Sequence, residues 1–197
     1  MNKKKYYAYN IENKKGVVYS WDECLSLVKG KKGKYKKFYS MEEAEFWLEH
    51  GVDKKPELEE GIYFDAGTGG KIGVEVRVTN KEGDSMLHLL LPKEKINSRG
   101  NYLAPAFATN NYGELLGCYI ALRIAIDRGM DKIFGDSKLV IDYWSLGRIK
   151  KEGLNKETID LSSKVSNLRN KYVSSGGKLK YISGDINPAD LGWHKKK

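Results

Sequence analysis

Cysteine is nearly absent from this chain. The 197 residues hold two, Cys24 and Cys118, far apart. That supports neither a disulfide framework nor a cysteine-based zinc site. Long apolar runs are also missing. No stretch reaches the roughly 18 residues that a membrane-spanning helix needs. The basic start Met1-Asn2-Lys3-Lys4-Lys5 leads into a tyrosine-rich segment, not an apolar signal core. A cytoplasmic protein with no membrane partner is expected. Acidic residues are outnumbered, 26 against 35 Lys and Arg, for a formal charge of +9. Such a balance favours a polyanionic partner such as nucleic acid; the alternative is a soluble, Lys-rich surface. What is present is a 40% hydrophobic fraction, enough for a core in one large domain or two unequal ones.

The chain is organised around Ile62-Tyr63-Phe64-Asp65-Ala66-Gly67 and the glycines that follow. Bulky residues read as a buried strand. The glycines permit a tight turn and the close approach of a polymer. An Asp beside such a strand needs a compensating metal ion or Lys, unless it only caps a turn.

In the first fifty residues, Lys5 to Tyr9, Gly16 to Ser20 and Lys34 to Tyr39 read as strands. Ser20 with Glu23 and Ser40 with Glu43 are spaced as capping boxes. The helix Trp21 to Val28 would bury Cys24, Leu25 and Val28. The helix after Ser40 would bury Ala44, Trp47 and Leu48. Lysines crowd Tyr35, an arrangement that suits a nucleic-acid backbone or merely solvates a loop. Phe38 is the expected core aromatic. Residues 51–60, charged and containing Pro56, read as a linker between a domain at 1–50 and another at 61–197.

In the second part, Ile72 to Thr79 and Met86 to Leu91 are expected to form an antiparallel set with the Asp65 strand, turning at Asn80 to Asp84. Residues 92–109 read as loop. A long helix from about Tyr112 to Arg128, capped by Thr109 or an Asn, places Glu114 in its first turn. Lys132 to Gly135 is a strand ending in Asp136, and Ser137 to Leu146 a helix. Residues 147–176 are basic and mostly helical, with Trp144 at their base. Lys178 to Ile182 is the last strand. Asn187-Pro188-Ala189-Asp190 reads as a helix start. Asp65, Glu114, Asp136 and Asp190 thus stand at element ends. Brought together they would repel, and hard divalent cations would reverse that repulsion.

Two sets of motifs carry a resemblance. Tyr6-Tyr7-Ala8, Gly16 through Cys24, Val28-Lys29-Gly30, Tyr35-Lys36-Lys37-Phe38 and Met41 through Ala44 are similar to the hybrid-binding domain of type 1 ribonucleases H and to a repeat of caulimovirus viroplasmin. Asp65 after a strand, Thr109-Asn110-Asn111-Tyr112-Gly113-Glu114, Phe134-Gly135-Asp136-Ser137 and Asn187-Pro188-Ala189-Asp190 resemble the four motifs of the ribonuclease H catalytic domain.

The resemblance implies an α/β fold: a ribonuclease H-like mixed five-stranded sheet flanked by helices, preceded by a small three-stranded α/β hybrid-binding domain. It implies an endoribonuclease that cuts the RNA strand of RNA/DNA hybrids and leaves 5′-phosphate and 3′-hydroxyl ends. Asp65, Glu114, Asp136 and Asp190 would hold two magnesium ions, with manganese as a substitute. Glu114 would also sense the ribose 2′-hydroxyl. Tyr7, Trp21 and Tyr35 would face the DNA strand, Lys36, Lys37 and Thr109 would contact phosphates, and Asn110 and Asn111 the minor groove. Double-stranded RNA is a second ligand for the N-terminal part, and no obligate protein partner is implied. Asp185 stands where many members carry a loop histidine, and His194 follows the last Asp; His88 has no assigned role. The alternative is a non-catalytic hybrid- or dsRNA-binding protein with a degenerate nuclease domain.

Overall fold

The computed structural model describes residues 4–12, 14–50, 57–70 and 72–192. The chain divides into two compact units, Met1–Glu57 and Leu58–Lys197.

The first unit is a three-stranded antiparallel sheet ordered β2-β1-β3, formed by β1 (Tyr6–Ile11), β2 (Lys14–Val18) and β3 (Gly33–Phe38). Helix α1 (Trp21–Val28) starts where Ser20 accepts a hydrogen bond from the Glu23 N–H, 3.1 Å away. Ser40 caps α2 (Met41–His50) in the same way through Glu43. Successive strand residues face opposite sides, and the two helices divide those sides. Ile11 and Val18 pack with Cys24 and Val28 of α1. Ala8 and Phe38 pack with Ala44 and Trp47 of α2. Leu25, expected in the core, is exposed. It lies about 100° around the helix from Cys24, beyond the stripe that the narrow sheet can cover.

The second unit is a five-stranded mixed sheet flanked by helices. Its order is β6 (Tyr102–Leu103), β5 (Glu75–Thr79), β4 (Ile62–Gly67), β7 (Lys132–Gly135), β8 (Lys178–Tyr181). β4, β5 and β6 are antiparallel neighbours, and β7 and β8 run parallel to β4. Helix α3 (Asn110–Arg128) lies over one face, above Phe64, Ala66, Val74 and Val76, with α5 (Lys156–Ser174) packed against it. Gly113 and Gly117 make that close seat possible. A Cβ on Gly113 would stand 2.4 Å from Val74 Cγ1, and one on Gly117 3.3 Å from Phe64. On the other face Tyr63 and Phe134 stack with ring centroids 4.7 Å apart, covered by Ile182 and Ala189.

Of the expected joint at 51–60, residues 51–56 lie outside the described residues. Leu58 packs beneath Tyr63 and Phe134, and the Glu59 carboxylate pairs with Lys132 and Lys180.

Three elements differ from expectation. Met86 to Leu91 is not a strand: Leu87–Leu89 is a 3₁₀ turn, and the third antiparallel strand is β6, inside the stretch expected to be loop. The short apolar run is satisfied by burying Leu87 and half-burying its neighbours, which periodicity cannot distinguish from strand burial. The helix expected from Ser137 stops at Asp142 as α4 (Lys138–Asp142), and Trp144–Leu146 continues as a 3₁₀ turn with Trp144 buried. Residues 187–190 form no helix. Asn187 Oδ1 accepts from the Ala189 N–H and the Asp190 N–H bonds back to the Asn187 carbonyl, closing a tight turn.

Candidate active site and nucleic-acid interface

Each candidate carboxylate stands where a backbone element ends or turns. Asp65 is near the end of β4, the central strand. Asp136 follows the last residue of β7, which runs parallel beside β4. Glu114 is carried in by α3. That helix begins two residues earlier than expected, with the Thr109 hydroxyl accepting from the Tyr112 N–H at 3.2 Å. Glu114 therefore sits in the second turn, buried, where attraction to the helix N-terminus is not its main environment. One carboxylate oxygen each from Asp65, Glu114 and Asp136 lies within 4.8 Å of the others.

Asp190 is outside that group of three but near it, and its charge acts on both Asp65 and Asp136. The C-terminal turn is fastened directly to the site. Leu191 donates its N–H to Asp65 Oδ2 at 3.1 Å, and Asn187 donates from Nδ2 to the Phe64 carbonyl at 3.1 Å. Asn187 also stands near enough to the Asp136 carboxylate to favour its ionised form. Gly184 passes so near that a Cβ there would be 2.9 Å from Asp136 Oδ2. Gly184 does not stand out in the sequence, and Asn187 signals only a helix cap; nothing in the Asn-Pro pair names Phe64, 123 positions away.

The electrostatics follow from this crowding. Burial raises the Glu114 carboxyl far above its ordinary range, and the charges of Asp65 and Asp136 push the same way. Burial also lifts Asp136, to about 7, with Asp65 adding to the effect and the nearby Asn187 side chain opposing it. Asp65 is raised by burial too, against the pull of the Leu191 and Ala66 N–H groups. Glu114 Oε2 is buried without a hydrogen-bond partner. Such an orphaned oxygen is costly unless a proton or cation meets it. An all-oxygen, carboxylate-rich set matches the preference of magnesium or manganese.

Thr109, Asn110 and Asn111 are exposed on the first turn of α3. While it caps the helix, the Thr109 hydroxyl keeps its proton to donate. Asp185 is exposed in the turn after β8, His88 sits in the 3₁₀ turn with Nδ1 3.0 Å from the Ser85 carbonyl, and His194 lies outside the described residues. Lys150, Lys151 and Lys156 are exposed on the connection into α5.

In the first unit the aromatics expected to face nucleic acid are together. The rings of Tyr7 and Trp21 are 5.9 Å apart, and those of Trp21 and Tyr35 5.6 Å. Trp21 is 41% and Tyr35 52% exposed, unusual for rings of that size in so small a unit. The two lysines are not equivalent. Lys37 pairs with Tyr7 across the strands and shares its face, whereas Lys36 pairs with Ala8 on the opposite face and lies over Phe38.

No curated protein sequence matches the chain. Among solved structures, the chain is similar to RNase H1 from the halophilic archaeon Halobacterium salinarum NRC-1. The identity is 21%, covering 63% of this chain and 85% of that one, at a TM-score of 0.37. It is also similar to an N-terminal RNase H domain from Mycobacterium tuberculosis, as a fusion with maltose binding protein. There the identity is 19%, covering 66% of this chain and 86% of that one, again at a TM-score of 0.37. A family model described as the Ribonuclease H1 N-terminal domain matches residues 5–48, which span all three strands of the first unit, α1 and most of α2.

Proposed function

We propose that the chain is an endoribonuclease that binds RNA/DNA hybrids through its N-terminal unit and hydrolyses their RNA strand in the second. The observation that carries this is the meeting of Asp65, Glu114 and Asp136, three carboxylates from three separate elements, with a buried Glu114 oxygen left unpartnered. A protein that only bound polyphosphate would gain nothing from acids held there against their own repulsion.

Asp65, Glu114 and Asp136, joined by Asp190, are the residues that would hold two magnesium ions, or manganese in their place. When bound, such ions polarise the scissile phosphate, favour the ionised form of an attacking water and neutralise charge on the leaving oxygen. The chain's own groups set the geometry. The Leu191 N–H fixes Asp65 by a hydrogen bond, and Asn187, held by the Phe64 carbonyl, stands beside Asp136, so Asp65 does not have to reorganise as charge develops. Thr109, Asn110 and Asn111 seat the duplex beside Glu114, which senses the ribose 2′-hydroxyl and so confines cutting to RNA. Water attacking phosphorus in line with, and opposite to, the ribose 3′-oxygen displaces that oxygen; the P–O3′ bond breaks and 5′-phosphate and 3′-hydroxyl ends result. The N-terminal unit holds the DNA strand on Tyr7, Trp21 and Tyr35, which raises the local concentration of substrate at the tethered second unit.

The test is cleavage of an end-labelled RNA/DNA hybrid with magnesium, manganese or EDTA, by the wild type and by Asp136→Asn. Metal-dependent cutting of the RNA strand alone, reduced at least about 100-fold in the variant, is expected. Tight binding without cutting under any metal would replace the enzyme with a hybrid-binding protein.

A further inference from the structure

One residue of the first unit is absorbed by none of the roles above. Tyr39 follows β3, is 41% exposed, and belongs to neither hydrophobic cluster of its unit. Lys37 Nζ lies 5.0 Å from the centre of its ring. Tyr35, Lys37 and Tyr39 occupy alternate positions, and Tyr35 and Lys37 pair with Tyr9 and Tyr7 on the α1 face of the sheet. The contact with Lys37 places Tyr39 next in that row. Trp21 closes it on the side of Tyr35, at 5.6 Å.

The row therefore runs Trp21, Tyr35, Tyr7, Lys37, Tyr39 along one face. The four residue steps from Tyr35 in β3 to Tyr39 just beyond its end span about 13 Å if extended. That is roughly four base-pair steps of duplex, at about 3.4 Å each along one strand. Aromatic faces separated by one ammonium group suit a polyanionic strand: the rings pack on sugars and bases, and the lysine takes a phosphate between them.

We propose that Tyr39 is a further nucleic-acid contact, extending the aromatic row past Lys37 so that the N-terminal unit grips a longer stretch of the same DNA strand that Tyr7, Trp21 and Tyr35 face. It rests on the hybrid-binding role assigned above. Tyr39 supplies a ring and no charge, so it contributes affinity without counterion release. Lys37 beside it supplies the charge.

The experiment is fluorescence anisotropy of a labelled RNA/DNA hybrid with the full chain in EDTA, which prevents cutting, across a range of salt. Tyr39→Ala, Tyr39→Phe, Lys37→Gln and Trp21→Ala are compared, each first shown by thermal unfolding to be folded. Tyr39→Ala is expected to weaken binding about 5- to 20-fold with an unchanged salt slope. Tyr39→Phe keeps the ring and binds within about twofold of wild type on the same argument. Lys37→Gln lowers the salt slope by about 1. Wild-type affinity in Tyr39→Ala beside a weak Trp21→Ala would overturn the role of Tyr39 and leave the hybrid-binding role standing. Wild-type affinity in Trp21→Ala as well would remove the hybrid-binding role itself. Should Tyr39→Ala unfold, a Tyr39→Phe variant bound more than about tenfold weaker would equally reject a ring-packing contact.

Discussion

Gly113 of α3 lies against Val74 beside β5, so tightly that a Cβ on the glycine would come within 2.4 Å of Val74 Cγ1 and 2.9 Å of Ala66 Cβ. The next residue along the helix is Glu114, and the residue before Ala66 is Asp65. The missing side chain at 113 is what allows one carboxylate to reach the other.

Replacing Gly113 with Ala sets two effects against each other. Ala favours a helix by about 1 kcal/mol over Gly. Forcing a methyl group into a packed seat costs about 1–3 kcal/mol, and neither Val74, a stiff β-branched residue, nor Ala66 can move aside. The expected result is a net loss of up to about 2 kcal/mol in denaturant unfolding, from those two figures. Hybrid cleavage should fall further than stability explains, because α3 must lift away from β4 and take Glu114 with it.

The protonation of the carboxylate group predicts how pH and metal act together. Glu114, Asp136 and Asp65 all hold their protons more tightly folded than unfolded. A raised carboxylate contributes stability that is full below its unfolded value and lost as pH rises through its folded one. Without metal, this contribution to stability therefore declines from about pH 4 upward, Asp136 ionising at about 7. A divalent cation competes with those protons. Magnesium is expected to raise the melting temperature by several degrees at pH 8, as about 2–3 kcal/mol of linkage at saturation implies, and much less at pH 5.5. Scanning calorimetry at both values, with and without magnesium, checks this. An equal shift at both would separate binding from the protons of these three groups.

A buried carboxylate outside that cluster makes a contrasting case. Glu75 of β5 is fully buried and its charge is met by Arg99 at 2.9 Å, with Asn97 and Asn101 donating to the other oxygen. This network fastens the loop before β6, from which the chain runs on to Thr109. Arg99→Ala leaves a buried charge without its cation and should cost about 3–5 kcal/mol. Glu75→Gln, which removes the charge and keeps the shape, should cost about 1–2 kcal/mol, as for altered hydrogen bonds to a charged group. Urea unfolding of the two variants gives the order; a milder Arg99→Ala would mean that the loop rearranges to admit water.

The two adjacent lysines of β3 should also separate. Lys37→Gln is expected to weaken hybrid binding and reduce its salt slope by about 1, whereas Lys36→Gln, on the face bearing α2, should change the slope by less than half of that. Anisotropy titrations at several salt concentrations resolve the two, and equal slopes would show that both faces meet the nucleic acid.

What could be read along the chain alone is what short-range chemistry decides. The bounds of α1 follow from Ser20 and the spacing to Glu23, because a cap bonds backbone three residues away. The tight turn at 80–84, though not a second strand after it, follows from Asn80 and Gly83, where the Asn80 side chain accepts from the Asp84 N–H and the glycine takes a positive φ. The central strand and the long helix were legible from their own apolar patterns. The motif positions of Asp65, Glu114 and Asp136 could be marked through their resemblance to ribonuclease H motifs, each lying in or beside a strand or helix legible from its own pattern. Tertiary structure alone decided the rest. Met86 to Leu91 became a 3₁₀ turn and Tyr102–Leu103 the edge strand, because what a short apolar run pairs with depends on the sheet it meets. Lys36 parted from Lys37 through a strand register set by β1. Asn187 turned from a helix cap into the tie between the C-terminal turn and the Phe64 carbonyl beside Asp65. The meeting of the carboxylates needed most of all: a parallel β7 beside β4, and a glycine on α3 small enough to let the helix down onto the sheet. Those are long-range packing outcomes, in which hydrophobic burial holds like charges closer together than their own repulsion would allow.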